Sequence, residues 1–141
     1  MVMKQLSVFL ENREGRLDLV LETLKKNDIN ILSLSLADTS DYGVLRMIVT
    51  DPVKGKAALR EQGFSAMLTP VLAVKIAHQV GQLQVLLAEI CKAGINIEYM
   101  YALATGADYA SIIIKTVDLD KAAEVVAQTG VEMLTSEDLE G

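Results

Sequence analysis

Apolar and polar positions alternate at the start of the chain. Leu6, Val8 and Leu10 share one parity, so residues 4–10 predict a strand. A turn carrying Asn12 and Gly15 follows. Leu17, Val20, Leu21 and Leu24 then fall at i, i+3, i+4 and i+7, which is one face of a helix. Asn27 lies close to the predicted helix end, where a left-handed residue is tolerated. A second strand is predicted over 29–37, a polar turn over Asp38–Asp41, and a third strand over 44–50. Asp51 can accept from the free N–H groups opening a second helix, and Pro52 suits its first position. That helix is expected to end at Gly63, and Met67-Leu68 make a short fourth strand.

The same pattern then returns. Gly15-Arg16-Leu17 reappears as Gly81-Gln82-Leu83, and Ile29-Asn30-Ile31 as Ile95-Asn96-Ile97. Asp41-Tyr42 matches Asp108-Tyr109, Asp51 matches Asp118, Gly63 matches Gly130, and Met67-Leu68-Thr69 matches Met133-Leu134-Thr135. The blocks keep one order and slip by a single residue at most, so the chain is two copies of one supersecondary unit. The helix stripe recurs as Leu83, Leu86, Leu87 and Ile90, with Gly94 near its end. Strands are predicted over 95–103 and 110–116.

The expected fold class is α+β: two ferredoxin-like βαββαβ units with antiparallel sheets, covering residues 1–70 and 71–141 and divided near Pro70. Both helices of a unit belong on one sheet face. The other face should be polar if it met water, yet Ile112, Ile113 and Ile114 are consecutive and one face cannot take all three. In the second predicted strand, Ile29 and Ile31 have one parity and Leu32, Leu34 and Leu36 the other. Apolar area on both faces, and an edge strand open to pairing, predict sheets that join or stack and a homodimer.

Composition narrows the function classes. The 141 residues carry a net charge of −6, which disfavours a nucleic-acid partner. The third predicted strand, Val44–Thr50, has no aromatic residue for stacking bases. Apolar runs are short, such as Val71–Val74, so no membrane span is expected. The N-terminal stretch lacks the apolar region of a secretory signal, and the single cysteine, Cys91, cannot pair within the chain. The expected location is the cytoplasm. One histidine cannot supply a catalytic zinc set, and neither it nor Cys91 falls in a recognised nucleophile arrangement, so no enzyme, metal or cofactor is expected.

The stretch Leu6–Leu17 followed by Asp28-Ile-Asn-Ile31 resembles the ACT family of regulatory domains, and is similar to the regulatory domain of phosphoglycerate dehydrogenase. The motif is a strand, then Asn-x-x-Gly-x-Leu, a helix and Ile-Asn-Ile. It covers nearly the whole chain, twice. Glu14 stands where that family often has Pro, which loosens the turn but leaves Gly15. The resemblance implies a ligand contacted by the Gly turn, with Asn30 and Asn96 reaching it across an interface between neighbouring domains.

Physical chemistry supports such a turn. A residue without a Cβ lets a ligand approach the backbone, and the helix start offers unpaired N–H groups to a carboxylate. Asn12 has a donor and an acceptor for a zwitterion. The candidate ligand residues in the first copy are Asn12, Glu14, Gly15, Arg16, Leu17, Asn30 and Ile31. In the second they are His78, Val80, Gly81, Gln82, Leu83, Asn96 and Ile97, with His78 in place of Asn12. Structural roles compete with each: the glycines can simply make turns, Asn30 and Asn96 can satisfy turn backbone, and Cys91 can be an inert packed thiol. Tyr99 and Tyr101 share a strand face and suit a pocket or an interface.

The expected function is a regulatory module that binds an amino acid and allosterically controls a partner enzyme of amino-acid or related metabolism. The alternatives are a small metabolic enzyme on a ferredoxin-like fold, and a structural assembly module without a ligand.

Overall fold

The computed structural model describes residues 2–11, 14–38 and 42–139. Its contacts divide the chain into two compact units, Lys4–Thr69 and Met1–Met3 with Pro70–Gly141.

In the first unit the elements are β1 (Met3–Glu11), α1 (Arg16–Lys26), β2 (Ile31–Asp38), β3 (Tyr42–Val49), α2 (Pro52–Glu61) and the opening of β4 (Ser65–Ala77). The sheet order is β2-β3-β1-β4, with β1 and β2 both antiparallel to β3. Val8 pairs with Leu45 and Leu6 with Met47, which puts one parity of each strand under the helices. Those four residues join Val20, Leu24, Leu59 and Phe64 in the core. The alternation at the start of the chain is thus the pleat of β1 facing its helices.

The other parity of β1 carries polar side chains that are nonetheless buried. Gln5 Nε2 donates to Ser7 Oγ at 3.0 Å, and Ser7 Oγ lies 2.9 Å from Thr69 Oγ1. These bonds replace the water that burial removed. Helix α2 lies close to the sheet because Gly55 has no side chain. A Cβ there would stand 3.0 Å from Leu6 Cδ2 and 3.4 Å from Leu24 Cδ2.

In the second unit, the rest of β4 is followed by α3 (Gln82–Lys92), β5 (Ile97–Thr105), β6 (Tyr109–Thr116), α4 (Leu119–Thr129), β7 (Glu132–Met133) and a short 3₁₀ turn (Ser136–Leu139). The sheet order is β5-β6-β4-β7, the same as in the first unit. Its core gathers Leu72, Val74, Ile76, Leu86, Ile90, Ile112, Ile114, Ala122 and Val126. Ile113 points away from that core and is also buried, in agreement with the run of three isoleucines. The order βαββαβ therefore occurs twice, as the pattern predicts.

Both second helices of the repeats open as expected. Asp51 Oδ1 accepts from the Lys54 N–H and Asp118 Oδ1 from the Lys121 N–H, each at 3.1 Å. Several details differ from the sequence reading. Strands β2 and β5 open at Ile31 and Ile97, two residues later than predicted, so Asn30 and Asn96 precede them. Helix α2 ends at Glu61 rather than Gly63. The short strand at Met67-Leu68 is part of one 13-residue strand, β4, which runs on through Pro70 to Ala77. The left-handed residue after α1 is Asp28 (φ 57°), not Asn27 (φ −96°). Asp28 is the counterpart of Gly94 (φ 76°), and Asn27 instead turns its Nδ2 back onto the Thr23 carbonyl at 2.8 Å. Cys91 is exposed rather than packed.

Candidate functional site

Each strand-to-helix turn is built on a left-handed glycine. Gly15 has φ 81°, ψ −8° and Gly81 has φ 86°, ψ −9°. A Cβ at either would meet nothing within 4 Å, so the glycine is demanded by the backbone and not by crowding. The first bonds within the helices run from Leu19 N–H to Gly15 O and from Val85 N–H to Gly81 O, both at 3.0 Å. The N–H groups just before them face the turn. In α3 one of these is engaged, since Gln82 N–H donates to Gln79 O at 3.2 Å. Asp18 adds a carboxylate to the first turn of α1, whereas α3 has no acidic residue there.

The candidate residues of the turns have diverse surroundings. Asn12, with its neighbour Arg13, lies outside the described residues. Glu14, Gly15 and Leu17 are exposed, as are Val80, Gly81 and Gln82, and Leu83 is half-buried. Arg16 lies against the unit: its guanidinium carbon is 4.4 Å from the centre of the Phe64 ring. Arg16 Nε is buried with no hydrogen-bond partner. His78 is held by the β5–β6 hairpin. Its N–H donates to Asp108 O at 2.8 Å, and its Nδ1 is 2.6 Å from Gly106 O. A carbonyl oxygen only accepts, so this contact is a hydrogen bond when Nδ1 carries the proton. His78 thus has a structural task that Asn12's position in the repeat does not reveal.

Asn30 and Asn96 sit at the far ends of their helices. Eleven residues of α1 separate the Gly15 turn from the Asn30 segment. At 1.5 Å per residue that is about 16 Å. The same length of α3 separates Gly81 from Asn96. A turn and the Ile-Asn-Ile of its own unit therefore cannot hold one small ligand together. Asn30 is anchored through its main chain: its N–H donates to Thr50 Oγ1 and its carbonyl accepts from Thr50 N–H, both at 3.0 Å. Asn96 O accepts from Val117 N–H at 3.3 Å. Both residues are exposed, and Ile31 and Ile97 are half-buried.

Asn30 and Ile31 line an open cleft of about 440 Å³ with Leu21, Lys25 and Asp28. An ammonium and a carboxylate thus flank Asn30, a set that complements a zwitterion. The second copy has Cys91 where the first has Lys25, and Gly94 where it has Asp28. Lys25 and Asp28 were not singled out by motif; superposing the repeats at a shift of 66 residues brings out both. Cys91 instead borders a groove along α3 with Gly81, Leu83 and Leu87.

A family model described as an ACT domain pair matches residues 1–141. The chain belongs to the ACT domain pair family. It is similar over 99% of its length to a protein of known crystal structure from Bacteroides thetaiotaomicron, at 39% identity, 96% coverage of that chain and a TM-score of 0.93. The regulatory subunits of aspartate kinase from Thermus thermophilus and Thermus flavus share the fold, with TM-scores of 0.62 and 0.61. Their identities are 20% and 21%, with 89% of this chain and 91% and 90% of theirs covered. No curated protein matches the sequence. Among the described residues, no group of three or more His, Cys, Asp or Glu side chains is placed to hold a metal, and no helix is long and apolar enough to cross a membrane.

Proposed function

We propose that this ACT domain pair is a regulatory module that binds an amino acid and controls a partner enzyme of amino-acid metabolism, in the cytoplasm and as a homodimer. The observation that carries the reading is the cleft beside Asn30, where Lys25 and Asp28 offer opposite charges to the two ends of a zwitterion. The roughly 16 Å between the Gly15 turn and Asn30 of the same unit is too long for both to meet one small ligand, so in the proposed homodimer a partner chain would complete the Asn30 cleft. Assembly would then be a condition of binding. The likeness to aspartate kinase regulatory subunits supports the class of partner, and it rests on fold.

The ligand residues in this reading are Asn12, Glu14, Gly15, Arg16, Leu17, Asn30 and Ile31, with Lys25 and Asp28 added, and their second-copy counterparts. The first-copy Asn30 cleft is the stronger, because the second copy lacks both charges. Calorimetric titration with each of the twenty amino acids tests it. One should bind, and Asn30→Ala should weaken it about 10- to 100-fold, since a hydrogen bond to a charged group is worth about 1.5–3 kcal/mol. Asn96→Ala should cost less. A ligand that binds equally well to Asn30→Ala would place the site elsewhere.

A further inference from the structure

The second unit contains a cavity of about 310 Å³ bounded by Ile76, Gln82, Val85, Val131 and two carboxylates, Glu89 and Glu132. It lies between the start of α3, the end of α4 and the strands, within one unit and apart from the Asn96 segment. Such a volume is at the lower end of small-molecule pockets.

The first unit shows what the same place holds when it is filled. Arg16 and Phe64, stacked at 4.4 Å, are the counterparts of Gln82 and Val131. Phe64 is buried in the first core, and the unpartnered Arg16 Nε is buried as well. A cation on an apolar body therefore occupies this position in the first copy, and two smaller side chains leave it open in the second. The charges change in the opposite sense. Glu89 and Glu132 replace Thr23 and Ser65. Two cations stand near these carboxylates. Lys75 lies 4.7 Å from the centre of the Tyr109 ring and 4.0 Å from Glu132. Lys92 Nζ donates to Glu89 Oε1 at 3.3 Å, and both pairs are exposed and therefore weak.

We infer that this cavity is a second binding site, specific to the second unit, for a small organic cation: a primary ammonium on an aromatic or branched hydrocarbon. Buried Ile76 and half-buried Val131, with exposed Val85 beside them, take the hydrocarbon, and Glu89 and Glu132 exchange their exposed lysine partners for the ammonium. The inference stands independently of the Asn30 cleft.

The test is methyl-observed NMR titration of the full chain with benzylammonium, benzyl alcohol and benzoate. Benzylammonium should give saturable shifts at the methyls of Ile76, Val85 and Val131, and bind about fivefold tighter than benzyl alcohol or benzoate. Glu132→Gln, a change at an exposed side chain, should reduce that preference without disturbing the fold. Val131→Phe transplants the ring that fills the first unit and should abolish the shifts at Ile76 and Val85. No saturable shift at these methyls, benzoate binding as well as benzylammonium, or unchanged preference in Glu132→Gln would each overturn the assignment. Because the Asn30 cleft is left intact in every variant, loss here and loss of amino-acid binding are read separately.

Discussion

The two halves are one fold solved with different side chains, and the differences cluster at three places. Next to the second helix end the first half has Phe64 under the Arg16 guanidinium, where the second has Val131 and Gln82. Around the end of the first helix it has Lys25 and Asp28, where the second has Cys91 and Gly94. In the third strand it has Val49, where the second has Thr116. The main-chain features stay constant: both turns keep a left-handed glycine, and both second helices keep an aspartate cap. A duplicated unit thus holds its backbone chemistry and varies the filling and the charge around it. Those varied positions are where the halves acquire separate tasks.

The largest expected effect comes from removing the filling of the first half. Phe64→Ala deletes a ring buried to 4% exposure and leaves the Arg16 guanidinium without its platform. The expected cost is about 3–5 kcal/mol in urea unfolding. Val131→Ala, at a half-buried position lining a cavity, should cost about 1 kcal/mol or less. Equal costs would show that the two places are packed alike and would break the comparison.

The turns should behave identically. Gly15→Ala and Gly81→Ala each force a Cβ into φ near 80° with open space around it, so only backbone strain is felt. Each should cost about 1–2 kcal/mol. A much larger loss at one of them would mean that the turns differ in more than their side chains.

The third strand offers a gain. Thr116 is fully buried, and its Oγ1 has no hydrogen-bond partner among the described residues. Its counterpart Val49 does the same packing without a hydroxyl. Thr116→Val should raise stability by about 1 kcal/mol, read as a higher urea midpoint at unchanged slope. A loss of stability would mean that the hydroxyl is satisfied in solution.

Much of this was legible in the sequence, for identifiable reasons. Period-two and helical stripes mark the elements because each buries one face, so Leu6, Val8, Val20 and Leu24 announce their own core. The repeat fixed the number of units because glycines and capping aspartates answer to backbone geometry, which duplication preserves. The extension of β4 through Pro70 was not legible, since a proline between two apolar runs reads as a break. Nor was the role of His78, whose partners Gly106 and Asp108 are about 30 residues away and meet it only once the hairpin forms. The site was legible as a motif but not as an arrangement. Gly15 and Asn30 look like neighbours in a pattern, and only the length of α1 shows them to stand apart.

The smallest expected effect concerns the residue after the first helix of each half. Asp28 adopts φ 57° and Gly94 φ 76°, so one backbone position is filled by a side chain that tolerates the left-handed region and by the residue that prefers it. A left-handed conformation costs an ordinary L-residue about 1–2 kcal/mol, less for Asp, whose short side chain bonds locally. Replacing Asp28 by Gly relieves that strain but gives the unfolded chain more freedom, worth about 0.5–1 kcal/mol in the other direction. The two terms nearly cancel, so Asp28→Gly should change stability by about 0.5 kcal/mol at most. Gly94→Ala has no such compensation and should cost about 1–2 kcal/mol. If Asp28 is kept for the ligand, as the cleft it shares with Lys25 implies, Asp28→Gly should weaken amino-acid binding while leaving the unfolding midpoint nearly unmoved. A variant that loses both together would show Asp28 to be a helix-end residue first and would remove it from the site.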